Sequence, residues 1–258
     1  MKKFLVVFFA LFLAVTFTAF GDEEIGLSAG LEFGIVDIGN DERMPYLMPM
    51  IIYEQSFFDD ALDVYAELNY TFGFAEELEQ SLYLNLMVGY NLGLGESSTL
   101  SFILQNEFDE ITIPDGAFAG IFTPAIGFNQ AFNFGDIFAA VGLPVYYFDN
   151  EDADTEIGLN FTLGWESSFG LGLEFTVFTM ISGDFRYDSL EAIARFETGP
   201  IYIEVIAEFP SDIDYGITIT PLFEYAIGNF SLYANCEFAG IGAGNIGISP
   251  ALGIKYRF

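Results

Sequence analysis

Carboxylates are the abundant reactive side chains of this chain, which has 38 Asp and Glu residues, seven Lys and Arg residues and no His. Paired carboxylates can perform acid–base catalysis. Glu204 and Glu208, however, are four residues apart on a predicted strand, which separates them by about 13 Å. Without His, neither a Ser-His-Asp triad nor a His-based zinc site can be built. We therefore predict that the chain is not an enzyme and has no cofactor or bound metal.

Acidic residues also concentrate in the segment 149–156, which reads Asp-Asn-Glu-Asp-Ala-Asp-Thr-Glu. Oxygen ligands of this kind suit Ca²⁺, but the segment lacks the glycine of an EF-hand loop. A solvated acidic loop is the preferred interpretation.

The formal net charge of −31 excludes one class of partner. A polyanion of this size repels nucleic acid phosphates, so no nucleic acid partner is expected. The single cysteine, Cys236, cannot form a disulfide within the chain, and it is interpreted as a small apolar residue.

The first 21 residues have the pattern of a secretory signal peptide. Lys2 and Lys3 precede an uncharged apolar run over 4–20, which ends in the small-residue pattern Ala19-Phe20-Gly21. Cleavage after Gly21 would leave a single mature domain over 22–258. The alternative is a membrane anchor, although a run of about seventeen residues is at the lower limit for a spanning helix.

Apolar residues in the mature chain recur at every second position. This alternation is clearest over 25–35, 62–73, 81–92 and 157–165, and no run of 18 apolar residues follows Gly21. A period of two indicates strands with one apolar face. Short turns and longer polar loops separate about fourteen such strands. Loops are expected over 36–45, 108–116 and 182–189. The segment 46–55 is a weaker strand of unfixed register, because Pro45 and Pro49 remove ladder donors. Twelve is the alternative count, because 117–128 and 137–147 are apolar on both faces and each contains a proline.

The last strand identifies an architecture. Leu252, Ile254, Tyr256 and Phe258 fall on one face, and Gly253, Lys255 and Arg257 on the other. The spacing of Gly253, Tyr256 and the terminal Phe258 resembles the C-terminal assembly signal of bacterial outer-membrane β-barrel proteins. The resemblance implies an all-β, antiparallel, up-and-down transmembrane β-barrel in the outer membrane. Its expected partners are outer-membrane lipid and the barrel-assembly machinery.

The polar faces of these strands would point into the barrel. Burying many carboxylates in a dry core costs several kcal/mol each, so a water-filled lumen is predicted. Rings of Asp and Glu favour cations. The predicted pore-lining residues are Glu32, Glu67, Glu174, Glu204, Glu224, Glu237, Arg195, Lys255 and Arg257. A specific ion pair between Glu24 and Arg257 is expected where the last strand meets the first, with separate solvation of both charges as the alternative.

The predicted function is a porin-like channel for passive diffusion of small cationic or neutral solutes. The main alternative is a non-conducting surface barrel that acts as an adhesin or structural envelope protein through its acidic loops. A transporter of hydrophobic compounds, similar to the fourteen-stranded fatty-acid channels, is disfavoured. Those channels carry an N-terminal plug segment before the first strand, whereas only Asp22 and Glu23 would precede the first strand here after cleavage. A soluble β-sandwich would have to cover the apolar face of nearly every strand.

Overall fold

The computed structural model describes residues 26–39, 42–58, 60–74, 78–113, 119–148, 155–183, 185–244 and 246–258. Strands dominate these residues. In chain order they are β1 (Gly26–Gly39), β2 (Glu42–Phe57), β3 (Leu62–Phe74), β4 (Leu78–Gly93), β5 (Ser98–Ile113), β6 (Ala119–Phe132), β7 (Gly135–Gly142), β8 (Val145–Phe148), β9 (Glu156–Ser167), β10 (Leu171–Met180), β11 (Arg186–Thr198), β12 (Ile201–Pro210), β13 (Ile217–Ile227), β14 (Phe230–Ile241) and β15 (Gly247–Arg257). A short 3-10 helix, Ile213–Tyr215, precedes β13.

The sheet closes on itself. Apart from β7 and β8, consecutive strands pair antiparallel, and β15 pairs with β1, where Leu31 is opposite Ile254. Both β7 and β8 pair with β6 on one side and β9 on the other. These two segments are therefore halves of one barrel strand. The fold is a closed antiparallel barrel of fourteen strands, as the alternation predicted, and the count of twelve is wrong.

Pro144 explains why one barrel strand is divided. Proline has no backbone N–H and so cannot donate to the ladder. Ala125 pairs with Gly142 before the break and Phe122 with Val145 after it, so the register is preserved. The Leu143 N–H donates to the Pro124 carbonyl at 2.9 Å across the gap. The proline interrupts the ladder without displacing the strand.

The second strand is longer than the sequence indicates. Pro45 and Pro49 predicted a weak strand over 46–55 with no fixed register, yet β2 pairs with β1 along most of its length. Its pairing with β3 has no partners at Met48 and Pro49. The neighbouring strands thus impose a register that the β2 sequence alone does not specify.

Three predicted loops are partly strand. The expected loop over 36–45 contains the end of β1 and the start of β2, β5 continues to Ile113, and β11 begins at Arg186. Charged residues end the apolar alternation in these segments. Backbone pairing continues because the ladder joins main-chain N–H and C=O groups and does not require an apolar face.

The outer surface of the barrel is apolar. Leu252 is 66% exposed and Leu163 is 58% exposed, and similar side chains occur on most strands. Further members of this outer belt are Leu31, Phe33, Val88, Phe102, Leu104, Ile126, Phe161, Phe175, Phe223 and Leu232.

Within the described ranges, no helix is long and apolar enough to cross a membrane. The predicted signal peptide, 1–21, and Glu24 lie outside the described residues.

Candidate functional site

The interior of the barrel carries the polar face of each strand. Residues alternate between the two faces of a strand, so the exposed apolar positions fix which residues point inward. The predicted pore-lining residues all alternate with the outer belt. They lie on β1 (Glu32), β3 (Glu67), β10 (Glu174), β11 (Arg195), β12 (Glu204), β13 (Glu224), β14 (Glu237) and β15 (Lys255 and Arg257).

One part of the interior, the carboxylate wall, consists of the inward residues of β10–β13 together with Lys255 of β15. Its members include Glu174, Glu191, Arg195, Glu204, Glu208 and Glu224. Arg195 is opposite Glu204 in the register of β11 and β12. Its guanidinium instead donates to Glu174 on β10 at 2.7 Å. Glu204 accepts a hydrogen bond from the Tyr202 hydroxyl at 2.6 Å.

The second ion pair of the carboxylate wall spans two strands. Lys255 Nζ lies 2.7 Å from Glu224 Oε2 on β13. The lysine passes over the Tyr233 ring of the intervening strand β14, with Nζ 4.9 Å from the ring centroid. A cation over an aromatic face is stabilised by the ring quadrupole. Tyr233 therefore supports Lys255 in its reach to Glu224.

Two acids of the carboxylate wall face one another without a cation. Glu191 of β11 is directly opposite Glu208 of β12. Like charges at opposed positions of a sheet destabilise the pairing, unless water or mobile cations separate them. Among the described residues, the two ion pairs of Arg195 and Lys255 are the only salt bridges. Neither carboxylate therefore has a counter-charge within the described part of the chain.

The other part of the interior, the amide wall, consists of the inward residues of β3–β9. It is rich in amides and hydroxyls, including Asn69, Asn85, Asn91, Ser101, Gln105, Asn129, Asn160 and Thr162. The chain has no Lys, Arg or His between Arg43 and Arg186. No base from these strands can therefore neutralise the acids of the amide wall.

Acids on the amide wall are held by neutral donors. Glu67 accepts hydrogen bonds from the Tyr65 hydroxyl at 2.6 Å and the Asn69 amide at 2.8 Å. Glu107 accepts one from Tyr83 at 2.9 Å. Hydrogen bonds satisfy a carboxylate without cancelling its charge. The negative charge of this wall remains in the interior.

Glu32 lies in a compact cluster beside the junction of β1 and β15. It is 5% exposed and accepts hydrogen bonds from Tyr46 at 2.6 Å and Asn235 at 3.3 Å. The Tyr233 hydroxyl contacts Met50 Sδ at 3.8 Å in the same cluster. Sequence reasoning selected Glu32 but missed its partners. The alternation could have placed Asn235 inward, whereas the two prolines of β2 concealed the register of Tyr46.

The predicted assembly signal has a local packing role. Gly253 lies beneath the Tyr233 ring, and a side chain at this position would collide with that ring. Tyr256 faces outward and contacts Phe230, with ring centroids 4.7 Å apart, and Phe258 at 4.9 Å. Arg257 is opposite Ser28 on β1.

In the part of the chain that the structure describes, no group of three or more His, Cys, Asp or Glu side chains is placed to hold a metal ion. No protein-family model and no curated protein sequence matches the chain.

Solved porin structures overlap with most of the barrel. A mutant porin of Rh. blastica covers 91% of this chain and 100% of its own, with 8% identity and a TM-score of 0.44. The Salmonella typhi OmpF complex with daunomycin covers 91% of this chain and 97% of its own, with 10% identity and a TM-score of 0.49. At these values, the fold assignment rests on the strand pairing described above and not on these neighbours.

Proposed function

We propose that this chain forms a channel in the bacterial outer membrane through which small cationic and neutral solutes diffuse passively. The apolar belt supports the membrane location. Contiguous exposed apolar surface of this extent is rare on soluble monomers, whereas a closed barrel with lipid-facing apolar residues suits a bilayer. Outer-membrane lipid would contact this belt.

The observation that carries the proposal is the excess of inward carboxylates over inward bases. Of the acids on the carboxylate wall, Glu174 and Glu224 have ion-pair partners, while Glu191 and Glu208 face each other. Such an arrangement is favourable only where water and mobile cations reach it. Acidic linings of this kind favour cations over anions.

Side-chain exposure supports a water-filled interior. In the Arg195–Glu174 pair, 37% of the arginine side chain and 21% of the glutamate side chain are accessible. Both groups face inward, so this accessible surface lies within the barrel. Barrels of eight strands are filled by side chains, and those of sixteen or more leave an aqueous channel. Fourteen strands are compatible with a narrow passage.

The predicted residues take distinct roles in this proposal. Glu67, Glu174, Glu204, Glu224 and Glu237 attract cations, while Arg195 and Lys255 reduce the local negative charge. Glu32 narrows the lumen together with Tyr46. At the C-terminal end of the barrel, Gly253, Tyr256 and Phe258 form the signal read by the barrel-assembly machinery, and Arg257 lies at the mouth of the channel.

Single-channel recording tests the proposal. The refolded mature chain would be placed in a planar bilayer with a KCl gradient, and the reversal potential measured. We expect stable open steps and a cation preference that falls in the Glu67→Gln and Glu174→Gln variants. A folded barrel that never conducts would refute the channel and favour the non-conducting adhesin or structural role.

A further inference from the structure

A cavity of about 480 Å³ opens on the amide wall where the short turns lie. It is bounded by the turn after β2 and by β4, β5 and β6. It is lined by Asp60, Ala61, Asn91, Gly93, Thr99, Ser101 and Asn129. Apart from Asp60 and Ala61, these lining groups are amides, hydroxyls or glycine.

Asn91 is held in one orientation at the cavity wall. Its amide nitrogen donates to the Asp60 carbonyl at 3.0 Å and to the Asp63 carboxylate at 2.6 Å. Its oxygen accepts from the Ser101 hydroxyl at 2.7 Å. Asp63 accepts a further hydrogen bond from Ser56 at 2.6 Å. This network fixes the lining before any solute enters.

Asn129 supplies an unused acceptor. Its Oδ1 atom is buried and has no hydrogen-bond partner among the described residues. Buried side-chain oxygens nearly always accept a hydrogen bond. Asn129 also lies opposite Thr99 in the register of β5 and β6, and both residues line the cavity.

The charge of the surroundings narrows the class of solute. An anion would find no counter-charge, because no Lys, Arg or His occurs between Arg43 and Arg186. The nearby carboxylate of Asp63 already accepts from Asn91 and Ser56. Amides and hydroxyls both donate and accept hydrogen bonds, as do the hydroxyls of sugars and polyols.

We propose that this cavity, between Asn91 and Asn129, binds a neutral polyhydroxylated solute such as a monosaccharide or a sugar alcohol. The inference rests on the proposed function, because the solute enters from the channel lumen. It adds a solute class to that function. The cavity holds the solute briefly at the short-turn mouth.

Two measurements on the full mature chain test the proposal. The first is the interruption of single-channel current by glucose or sorbitol, with cationic glucosamine and anionic gluconate as comparisons. The second is calorimetric binding of glucose to the barrel refolded in a detergent without a sugar headgroup, which reports binding whether or not the barrel conducts. We expect glucose and sorbitol to interrupt the current, and glucose to bind in the calorimetric assay.

Two variants locate the binding. Asn129→Ala removes the unused acceptor, and we expect an affinity loss of about tenfold, equivalent to one hydrogen bond. Gly93→Phe fills the cavity, since nothing lies within 4 Å of a side chain built at Gly93. Asn160→Ala is the matched control, because it removes an inward amide of the same wall outside this cavity.

Each outcome decides the inference. Binding that is weakened about tenfold in Asn129→Ala, lost in Gly93→Phe and kept in Asn160→Ala supports the inference. Absent calorimetric binding, an equal loss in all three variants, or stronger binding of glucosamine than of glucose overturns it, even if the channel conducts. A silent channel whose barrel still binds glucose at this cavity refutes the proposed function and retains the binding site.

Discussion

The carboxylate wall and the amide wall both hold acids inside one barrel, but with different donors. On the carboxylate wall, Arg195 and Lys255 each neutralise one glutamate. On the amide wall, Tyr and Asn side chains hold Glu67 and Glu107 and leave their charge in place. A hydrogen-bonded acid can be ordered without being neutralised. The difference shows that the ordering of an interior carboxylate and the neutralisation of its charge are independent properties.

The largest expected effect on ion selectivity comes from removing negative charge from the carboxylate wall. The triple variant Glu191→Gln, Glu204→Gln and Glu208→Gln should lower the cation-to-anion permeability ratio about threefold or more at low ionic strength. Reversal potentials in a KCl gradient would measure it. The double variant Asn85→Ser and Asn160→Ser, on the amide wall, is the uncharged control. An equal change in both variants would remove the distinction between the walls.

Removing the basic side chains of the lumen should change the cation preference in the opposite direction. In Arg195→Gln and Lys255→Gln, one negative charge is released in each case, so cation preference should rise about twofold. The partly exposed ion pairs should each contribute about 1 kcal/mol or less to stability, measured by urea unfolding in lipid vesicles. A fall in cation preference would contradict the assignment of both residues to the lumen.

Adding a base to the amide wall provides a reciprocal test. Gln105 faces inward, and its amide donates to Asn85 at 3.3 Å. We expect Gln105→Lys to lower cation preference by up to about twofold, because no native base in the surrounding strands competes for the acids. Gln105→Met is the control of similar length. Unchanged selectivity in the lysine variant would indicate that the amide wall is remote from the ion path.

The smallest effect on ion selectivity should follow from the loss of one uncharged hydrogen-bond donor. Tyr65→Phe removes the hydroxyl that binds Glu67 and should cost about 1 kcal/mol of unfolding free energy. Because no charge is lost, the reversal potential should stay unchanged. A shift comparable to that of Lys255→Gln would mean that the donors on the amide wall also set its charge.

Sequence periodicity was sufficient for the number of strands. Alternation with a period of two placed Glu67, Glu174 and Lys255 opposite the apolar belt, because facing is a local property of a strand. The same alternation could not identify contacts. Lys255 reaches Glu224 over an intervening strand, and Arg195 bypasses its register neighbour Glu204. Long flexible Lys and Arg side chains can reach several acids. Which acid they contact depends on the three-dimensional positions of the neighbouring strands.

The expected Glu24–Arg257 pair stays a prediction, since Glu24 lies outside the described residues. The Glu32 cluster escaped prediction for a different reason. Its donor Tyr46 belongs to a strand whose prolines leave the register undetermined, and its donor Asn235 lies on β14, 203 residues further along the chain. Contacts between sequence ends depend on closure of the barrel, which no local pattern encodes.

The absence of bases between Arg43 and Arg186 has a practical consequence for proteolysis. Trypsin cuts after Lys and Arg, so the segment 44–186 contains no internal cleavage site and stays intact even when the chain is unfolded. Arg43 and Arg186 are both exposed near the starts of β2 and β11. Survival of the 44–186 fragment in trypsin therefore cannot serve as a sign of correct folding. A protease specific for aromatic or acidic residues would report on the barrel itself.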